Sequence, residues 1–290
     1  MTNPWLERGF LLYAHQGGAL EAPAGTLFAM EQAIGNGANA IELDVHCTKD
    51  GVLVVGHDPV VDTTTNGSGA IADLDYEYIN SLDNAYHFIE GKGALIPPAS
   101  NSGYIDPKSY IYRGLAPNDH RFGVALLEEV LSSFPDVVLN LDIKQTAPTV
   151  APYEDLLAKV LRAHNRVPNT IVASFHDQAI ARFIEVAPEF NTAPGAGETA
   201  LYGKAFFSGQ ALPESITRHA ALQIPAKVGN LAVATKSFVE TAHELGLAVH
   251  VWTINEENDA SHLIDIQVDA IMTDRPKALA RLESIKPLLG

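Results

Sequence analysis

Ala40-Ile41-Glu42-Leu43-Asp44-Val45-His46-Cys47-Thr48-Lys49-Asp50-Gly51-Val52-Leu53-Val54-Val55-Gly56-His57-Asp58 is the stretch from which the fold is read. Acids alternate with apolar residues over Ala40–Val45. In a strand, neighbouring side chains point to opposite faces, so Glu42 and Asp44 share one face and Ile41, Leu43 and Val45 the other. Lys49-Asp50-Gly51 is a turn signal, with Gly51 supplying positive φ. A tight antiparallel hairpin places His57 roughly opposite Glu42. Two carboxylates and an imidazole then converge, the material of a metal site with an acid/base beside it.

Outward from this hairpin, short apolar runs alternate with helical patterns. Candidate strands are Phe10–Ala14, Ala40–Val45, Val137–Ile143, Thr170–Ser174, Phe190–Ala193, Ala221–Ala226, Ala248–Thr253 and Ala270–Thr273, with Val52–Gly56 assigned to the hairpin. Candidate helices are Thr26–Asn36, Ala125–Phe134, Pro152–His164, Asp177–Val186, Glu198–Phe207, Thr235–Leu245, Glu257–Ile266 and Pro276–Ile285. This alternation means βαβ units and a parallel sheet. The strand count is that of an α/β fold closed as a (β/α)8 TIM barrel. The rival, an open doubly wound sheet, lacks a Gly-rich dinucleotide fingerprint after the first strand.

The chain of 290 residues reads as one barrel domain, with an insertion at about 84–123 that breaks the alternation. That stretch is rich in Gly, Pro, Asn and aromatics (Tyr86, Phe88, Tyr104, Tyr110, Tyr112), too aromatic for a disordered linker. It reads as a cap over one end of the barrel or a contact between subunits of a homo-oligomer.

A net charge of −16 argues against nucleic acid or an anionic membrane surface as partner. It leaves room for a phosphate ligand beside a bound cation. Cys47, alone of its kind, excludes an internal disulfide and suits a reducing compartment. No run approaches the roughly 18–20 apolar residues of a membrane span. Met1–Tyr13 lacks the apolar run of a signal peptide. The expectation is a soluble cytoplasmic protein.

In a barrel, catalytic groups gather at the C-terminal strand ends. Those ends carry His15-Gln16-Gly17-Gly18, Glu42 and Asp44, Asn140-Leu141-Asp142-Ile143-Lys144, Trp252-Thr253-Ile254-Asn255 and Thr273-Asp274-Arg275-Pro276. Glu42, Asp44 and Asp142 form an all-oxygen donor set that selects Mg2+ or Ca2+ over Zn2+. The plainer reading pairs these acids with Lys144 or Arg275. His15 and His57 each end an apolar strand before a loop and are the acid/base candidates. His46 shares the parity of the acids and is a minor ligand candidate. Lys144 is a point charge for a phosphate oxygen or a partner in an interior salt bridge. Trp252 is a wall of the pocket or simple core filling, and Cys47 is read as packing.

Taken together, these residues resemble the glycerophosphodiester phosphodiesterase family. His15-Gln16-Gly17-Gly18 is similar to its His-Arg-Gly start and Ile41–Asp58 to its Glu-Leu-Asp-Val…Thr-Lys-Asp-Gly…His-Asp core. Thr64–Gly69 is similar to the Thr-Thr-Asn-Gly-x-Gly that follows, Asp142-Ile143-Lys144 to Glu-Ile-Lys, Trp252–Asn255 to Trp-Thr-Val-Asn, and Thr273–Pro276 to Thr-Asp-x-Pro. The resemblance implies a barrel enzyme that needs a divalent cation, Mg2+ or Ca2+, held by Glu42, Asp44 and Asp142. It makes His15 and His57 the acid/base pair and has Lys144 stabilise charge on the phosphate.

Gln16 stands where the family has Arg at the phosphate, and Ala24-Gly25 where it has Glu-Asn. Charge is lost in compensating pairs, so activity with an altered phosphate grip is expected, with Gln16, Lys144 and Trp252 contacting substrate. Lysophospholipase D and sphingomyelinase D branches can lack that Arg and use Asp as third acid. Lysophospholipids are thus the alternative to small glycerophosphodiesters such as glycerophosphocholine or glycerophosphoethanolamine. A non-catalytic phosphate- or lipid-binding barrel is the remote rival. A zinc amidohydrolase wants His-x-His at the first strand, and His15 is followed by Gln16-Gly17.

Overall fold

The computed structural model describes residues 3–95 and 105–289. Eight parallel strands are β1 (Leu11–His15), β2 (Ala40–Cys47), β4 (Val138–Ile143), β5 (Thr170–Ala173), β6 (Asn191–Thr192), β7 (Ala221–Pro225), β8 (Ala248–Trp252) and β9 (Ala270–Thr273). They lie in the order β6-β5-β4-β2-β1-β9-β8-β7, and β3 (Leu53–Val55) pairs antiparallel with β2. The two ends of this order meet at one backbone bond, Ala220 N–H to the Thr192 carbonyl (2.9 Å), so the barrel is nearly closed.

Parity decides what the barrel contains. Leu12, Ile41, Leu43, Leu139, Leu141, Val249, Val251 and Ile271 face outward and pack under the helices. Leu11, Tyr13, Ala40, Val138, Ala221, Ala248, Ala270 and Met272 face inward. The inward rows start on apolar, often small residues and end on His15, Asp44, Asp142 and Trp252, so polarity rises toward the C-terminal mouth. Trp5, in the turn Pro4–Glu7, fills the opposite end and is 1% exposed.

The outer layer is α1 (Leu27–Gly35), α2 (Leu127–Ser133), α3 (Glu154–Ala163), α4 (Asp177–Val186), α5 (Ala196–Ser208), α6 (Lys236–Glu244), α7 (Glu257–Asp265) and α8 (Pro276–Leu279). Thr26 and Thr235 cap α1 and α6 through their side-chain oxygens. The Asp177 carboxylate accepts from Gly197 N–H (3.0 Å) and Glu198 N–H (3.1 Å), tying α5 to α4. A side chain at Gly195 would collide with that carboxylate.

Two expectations shrink. The run Phe190–Ala193 keeps only a two-residue strand, and the helix expected over Pro276–Ile285 ends at Leu279. Beyond it, tight turns bring Leu282 and Ile285 into the core shared with α6 and α7, so packing overrides the helical period.

The insertion is present, but its described part does not cover the barrel mouth. It carries the hairpin Phe88–Ile89/Gly93–Ala94 and lies along α1 and the loop after β1. Phe122 stacks on Phe28 (4.5 Å between ring centroids), Tyr112 packs on both, and Gly91 N–H donates to the Leu20 carbonyl. Tyr104 lies outside the described residues. Among the described residues no helix is long and apolar enough to cross a membrane.

Candidate active site

The inward acids meet because of register. Asp142 on β4 is the direct neighbour of Asp44 on β2, and Glu42 pairs with Asn140 on one side and His15 of β1 on the other. Strand pairing carries three separate parts of the chain to one spot on the barrel wall. The β2–β3 pairing runs Val45 to Val55, and Gly56 N–H donates to the Asp44 carbonyl (3.1 Å). His57 therefore sits just past the end of the strand, nearer the level of Leu43 than of Glu42, and enters the site from the loop.

His15 is held on both edges. Its Nδ1 lies 2.6 Å from Oδ1 of Asp274, and its Nε2 lies 3.7 Å from Oε2 of Glu42. Burial disfavours the imidazolium, but Glu42 and Asp274 outweigh it and raise the pKa to about 9. Asp274 is held in turn by Asn255, whose Nδ2 donates to its Oδ2 (2.7 Å) and whose Oδ1 accepts from the Asp274 N–H (2.9 Å).

His57 donates through Nδ1 to Asp58 Oδ1 (2.8 Å) and leaves its side chain 48% exposed at the mouth. Partial burial pushes Asp58 up, yet hydrogen bonds from Thr63 and His57 hold it below its usual range. His46 is buried and does not line the cavity. It bridges Gln145 and the backbone carbonyl of His57 at 3.3 and 3.4 Å, which steadies the loop.

Lys144 lies between the acids, 3.2 Å from Asp44 Oδ1 and 3.5 Å from Asp142 Oδ2. The salt-bridge reading of Lys144 is thus realised, and it leaves the ammonium facing the cavity as well. Burial and then Asp44 raise Glu42 to about 8. Burial and then Asp44 raise Asp142 to about 7, against the pull of Lys144. Asp142 Oδ1 is buried with no hydrogen-bond donor.

That orphaned oxygen, two neighbouring carboxyls held against ionisation, and an all-oxygen donor set suit a hard cation. Among the described residues, no three His, Cys, Asp or Glu side chains already stand in a coordination cluster. Lys144 supplies part of the neutralising charge there instead.

His15, Glu42, Asp44, His57, Asp142, Lys144 and Trp252 all line one cavity of about 770 Å3. Gln16 does not. It turns at φ 54° into a neighbouring recess of about 40 Å3 that shares Asp44 and His57, while its N–H donates to Glu42 Oε2 (3.2 Å). The far wall of the large cavity comes from α5, from the exposed hairpin Lys227–Val228/Leu231–Ala232, and from Phe175 and Phe238. None of it comes from the described part of the insertion.

The sequence profile of the glycerophosphoryl diester phosphodiesterase family matches residues 15–278. The chain belongs to this family. A glycerophosphodiester phosphodiesterase of Caldanaerobacter subterraneus subsp. tengcongensis is 29% identical over 276 residues, covering 94% of this chain and 97% of the relative. The rat glycerophosphodiester phosphodiesterase 1 is 50% identical over 72 residues, 25% of this chain and 22% of the relative.

Among solved structures, the glycerophosphodiester phosphodiesterase of Agrobacterium tumefaciens str. C58 matches with a TM-score of 0.70 at 22% identity, over 94% of this chain and all of that one. An Oleispira antarctica phosphodiesterase, solved with the product sn-glycerol-3-phosphate, matches at 0.66 and 21% identity over 97% and 99%. These two confirm the TIM-barrel fold. As a glycerophosphodiester phosphodiesterase, the chain is an enzyme, and the non-catalytic and amidohydrolase readings fall away.

Three residues of this phosphodiesterase's site went unassigned in the sequence. Asp274 and Asn255 hold His15, and Gln223 Nε2 donates to Asn140 Oδ1 (2.7 Å) across the cavity floor. Asp274 had a signal, an acid directly after the last apolar strand. Gln223 had none, because a lone inward Gln on a strand looks like any other.

Proposed function

We propose that the enzyme hydrolyses glycerophosphodiesters to a glycerol phosphate and a free alcohol, with His15 and His57 as the acid/base pair. What carries this reading is that the two histidines line one cavity with Lys144 and three carboxylates. The phosphate sits against Lys144, whose ammonium offsets the charge that grows on the non-bridging oxygens. One imidazole takes the proton from the attacking oxygen, that of water or a neighbouring hydroxyl of the substrate, as the new O–P bond forms. The other gives a proton to the departing alcohol oxygen as the old P–O bond breaks.

Asp274 fixes the His15 ring through Nδ1 and keeps Nε2 toward the reacting groups; Asp58 does the same for His57. Glu42, Asp44 and Asp142 are the residues that would hold Mg2+ or Ca2+, which when bound would polarise a phosphoryl oxygen.

The test is release of choline or ethanolamine from glycerophosphocholine and glycerophosphoethanolamine, with Mg2+, Ca2+ or EDTA. Release that stops with EDTA and in both His15→Ala and His57→Ala is the expected result. Activity persisting in His57→Ala removes it from the acid/base pair.

A further inference from the structure

We infer that Asn84, at the root of the insertion, is a positioning residue for the reaction: it ties the loop that carries His57 to the loop that follows His15 and so sets the spacing of the two imidazoles. The inference rests on the acid/base reading above and adds to it a residue that does not line the large cavity.

The two histidines are held differently. His15 ends a barrel strand and has a carboxylate near each ring nitrogen. His57 has left β3 for a loop, meets Asp58 through Nδ1 and keeps its side chain half in water. A path of hydrogen bonds joins one loop to the other. The Thr63 side chain donates to the Asp58 carboxylate, which also accepts from His57. The next residue, Thr64, donates from its hydroxyl to Oδ1 of Asn84. Nδ2 of Asn84 donates to the Ala24 carbonyl (3.0 Å). Gly25 N–H then donates to the carbonyl of Gln16, one residue past His15 (2.9 Å).

Asn84 is fitted to this task. It is 5% exposed, so its amide must find partners within the protein. The Ala24 carbonyl can only accept, so the NH2 group faces it and the amide oxygen faces the Thr64 hydroxyl. The backbone is fixed as well. Asn84 N–H donates to the Phe122 carbonyl (3.0 Å), which closes the two ends of the insertion on each other. Asp83 N–H donates to Oδ1 of Asn66 (2.9 Å), on the same loop as Thr64. Gly25 turns at φ 67°, and a Cβ there would lie 3.6 Å from Nδ2 of Asn84 and 3.5 Å from the Val55 carbonyl. A longer side chain at that position would displace the amide. Between the loops lies only the recess of about 40 Å3, with Gln16, His57, Asp58, Thr64 and Asn84 in its wall. Loss of the amide lets Thr64, and with it the His57 loop, shift across that space. The insertion therefore serves the site from its root.

The experiment follows choline release from glycerophosphocholine by the full chain, with Mg2+ or Ca2+, well below the lowest melting temperature of the set. Asn84→Asp keeps the shape but sets a carboxylate oxygen against the Ala24 carbonyl. Thr64→Val cuts the tie from its other end, and Thr64→Ser keeps the hydroxyl. Tyr112→Leu loosens the insertion away from its root. In Asn84→Asp and Thr64→Val kcat is expected to fall about tenfold to a hundredfold, with KM within about twofold of wild type. Thr64→Ser and Tyr112→Leu are expected to keep the wild-type kcat. Wild-type kcat in Thr64→Val, a rise in KM alone, or an equal fall in Tyr112→Leu overturns the inference. Thr64→Val decides the matter if Asn84→Asp does not fold.

NMR of the His57 ring, its signal assigned by its loss in His57→Ala, separates this inference from the reading beneath it. A wild-type protein that cleaves nothing refutes the acid/base mechanism alone. The tie is then judged by that signal. Splitting or broadening in Asn84→Asp and Thr64→Val, with a wild-type signal in Thr64→Ser and Tyr112→Leu, supports it. A His57 signal unchanged in Thr64→Val overturns it.

Discussion

Nδ1 of His15 lies 2.6 Å from Oδ1 of Asp274, a residue 259 positions further along the chain. The first and last barrel strands are neighbours, so a catalytic candidate and the carboxylate that holds it come from opposite ends of the sequence. The contact fixes the imidazole's orientation and stabilises its charged form, which is the service a buried carboxylate gives a catalytic histidine.

Asp274→Asn removes that service while keeping the shape. Steady-state kinetics are expected to show kcat lower by about 10²–10⁴ with KM little changed. Asn255→Ala, acting one step further back through Asp274, is expected to cost about tenfold. A rise in KM with unchanged kcat would assign Asp274 to substrate binding.

His57→Ala and His15→Ala are each expected to lower kcat by about 10²–10⁴, the range of a general acid or base. Because the His57 side chain is 48% exposed, its variant should keep the wild-type melting temperature. Full activity in either variant takes that histidine out of proton transfer.

Lys144→Met leaves Asp44 and Asp142 facing each other without their ammonium. Breaking such a pair costs about 3–5 kcal/mol when fully buried, and less here because Lys144 keeps 17% of its side chain exposed. Melting curves should show the variant destabilised in EDTA and recovering more than wild type on adding Mg2+ or Ca2+. Asp142→Asn should weaken that metal-dependent stabilisation at least tenfold in cation concentration. Equal melting temperatures with and without cation in all three proteins would argue against a resident metal.

His250 sits fully buried in the barrel between Trp5 and Tyr13, with neither ring nitrogen bonded. Burial lowers its pKa from 6.5 to about 3. Below pH 6.5 the unfolded chain takes up a proton that the folded chain refuses, so stability falls as pH drops. The loss is about 1.4 kcal/mol per pH unit, or about 2 kcal/mol by pH 5. His250→Phe should flatten the melting temperature between pH 6.5 and 4 relative to wild type. Parallel curves for the two proteins would place the acid sensitivity elsewhere.

Much of the site is local and so could be read in advance. The alternation in Ala40–Val45 turns Glu42 and Asp44 to one side in any strand, and Asp142 obeys the same parity on β4, with Lys144 one residue past its end. The Asp50-Gly51 turn folds β3 back wherever it stands, with Gly51 at φ 81°. The insertion was legible only in part: its aromatics announce that the segment packs, but not on what. Phe28 of α1, not the substrate cavity, takes Tyr112 and Phe122.

The chain's own order of residues determined the strand and helix alternation, the inward acids and the two histidines at strand ends, because side-chain direction follows from period alone. Only the folded barrel decided that Asp274 grips His15, that Lys144 lies between Asp44 and Asp142, and that α5 with Val228 and Leu231 builds the apolar wall. Those contacts depend on which strands become neighbours and in what register as the sheet curls round. That is a property of the whole closed surface, which no single segment carries.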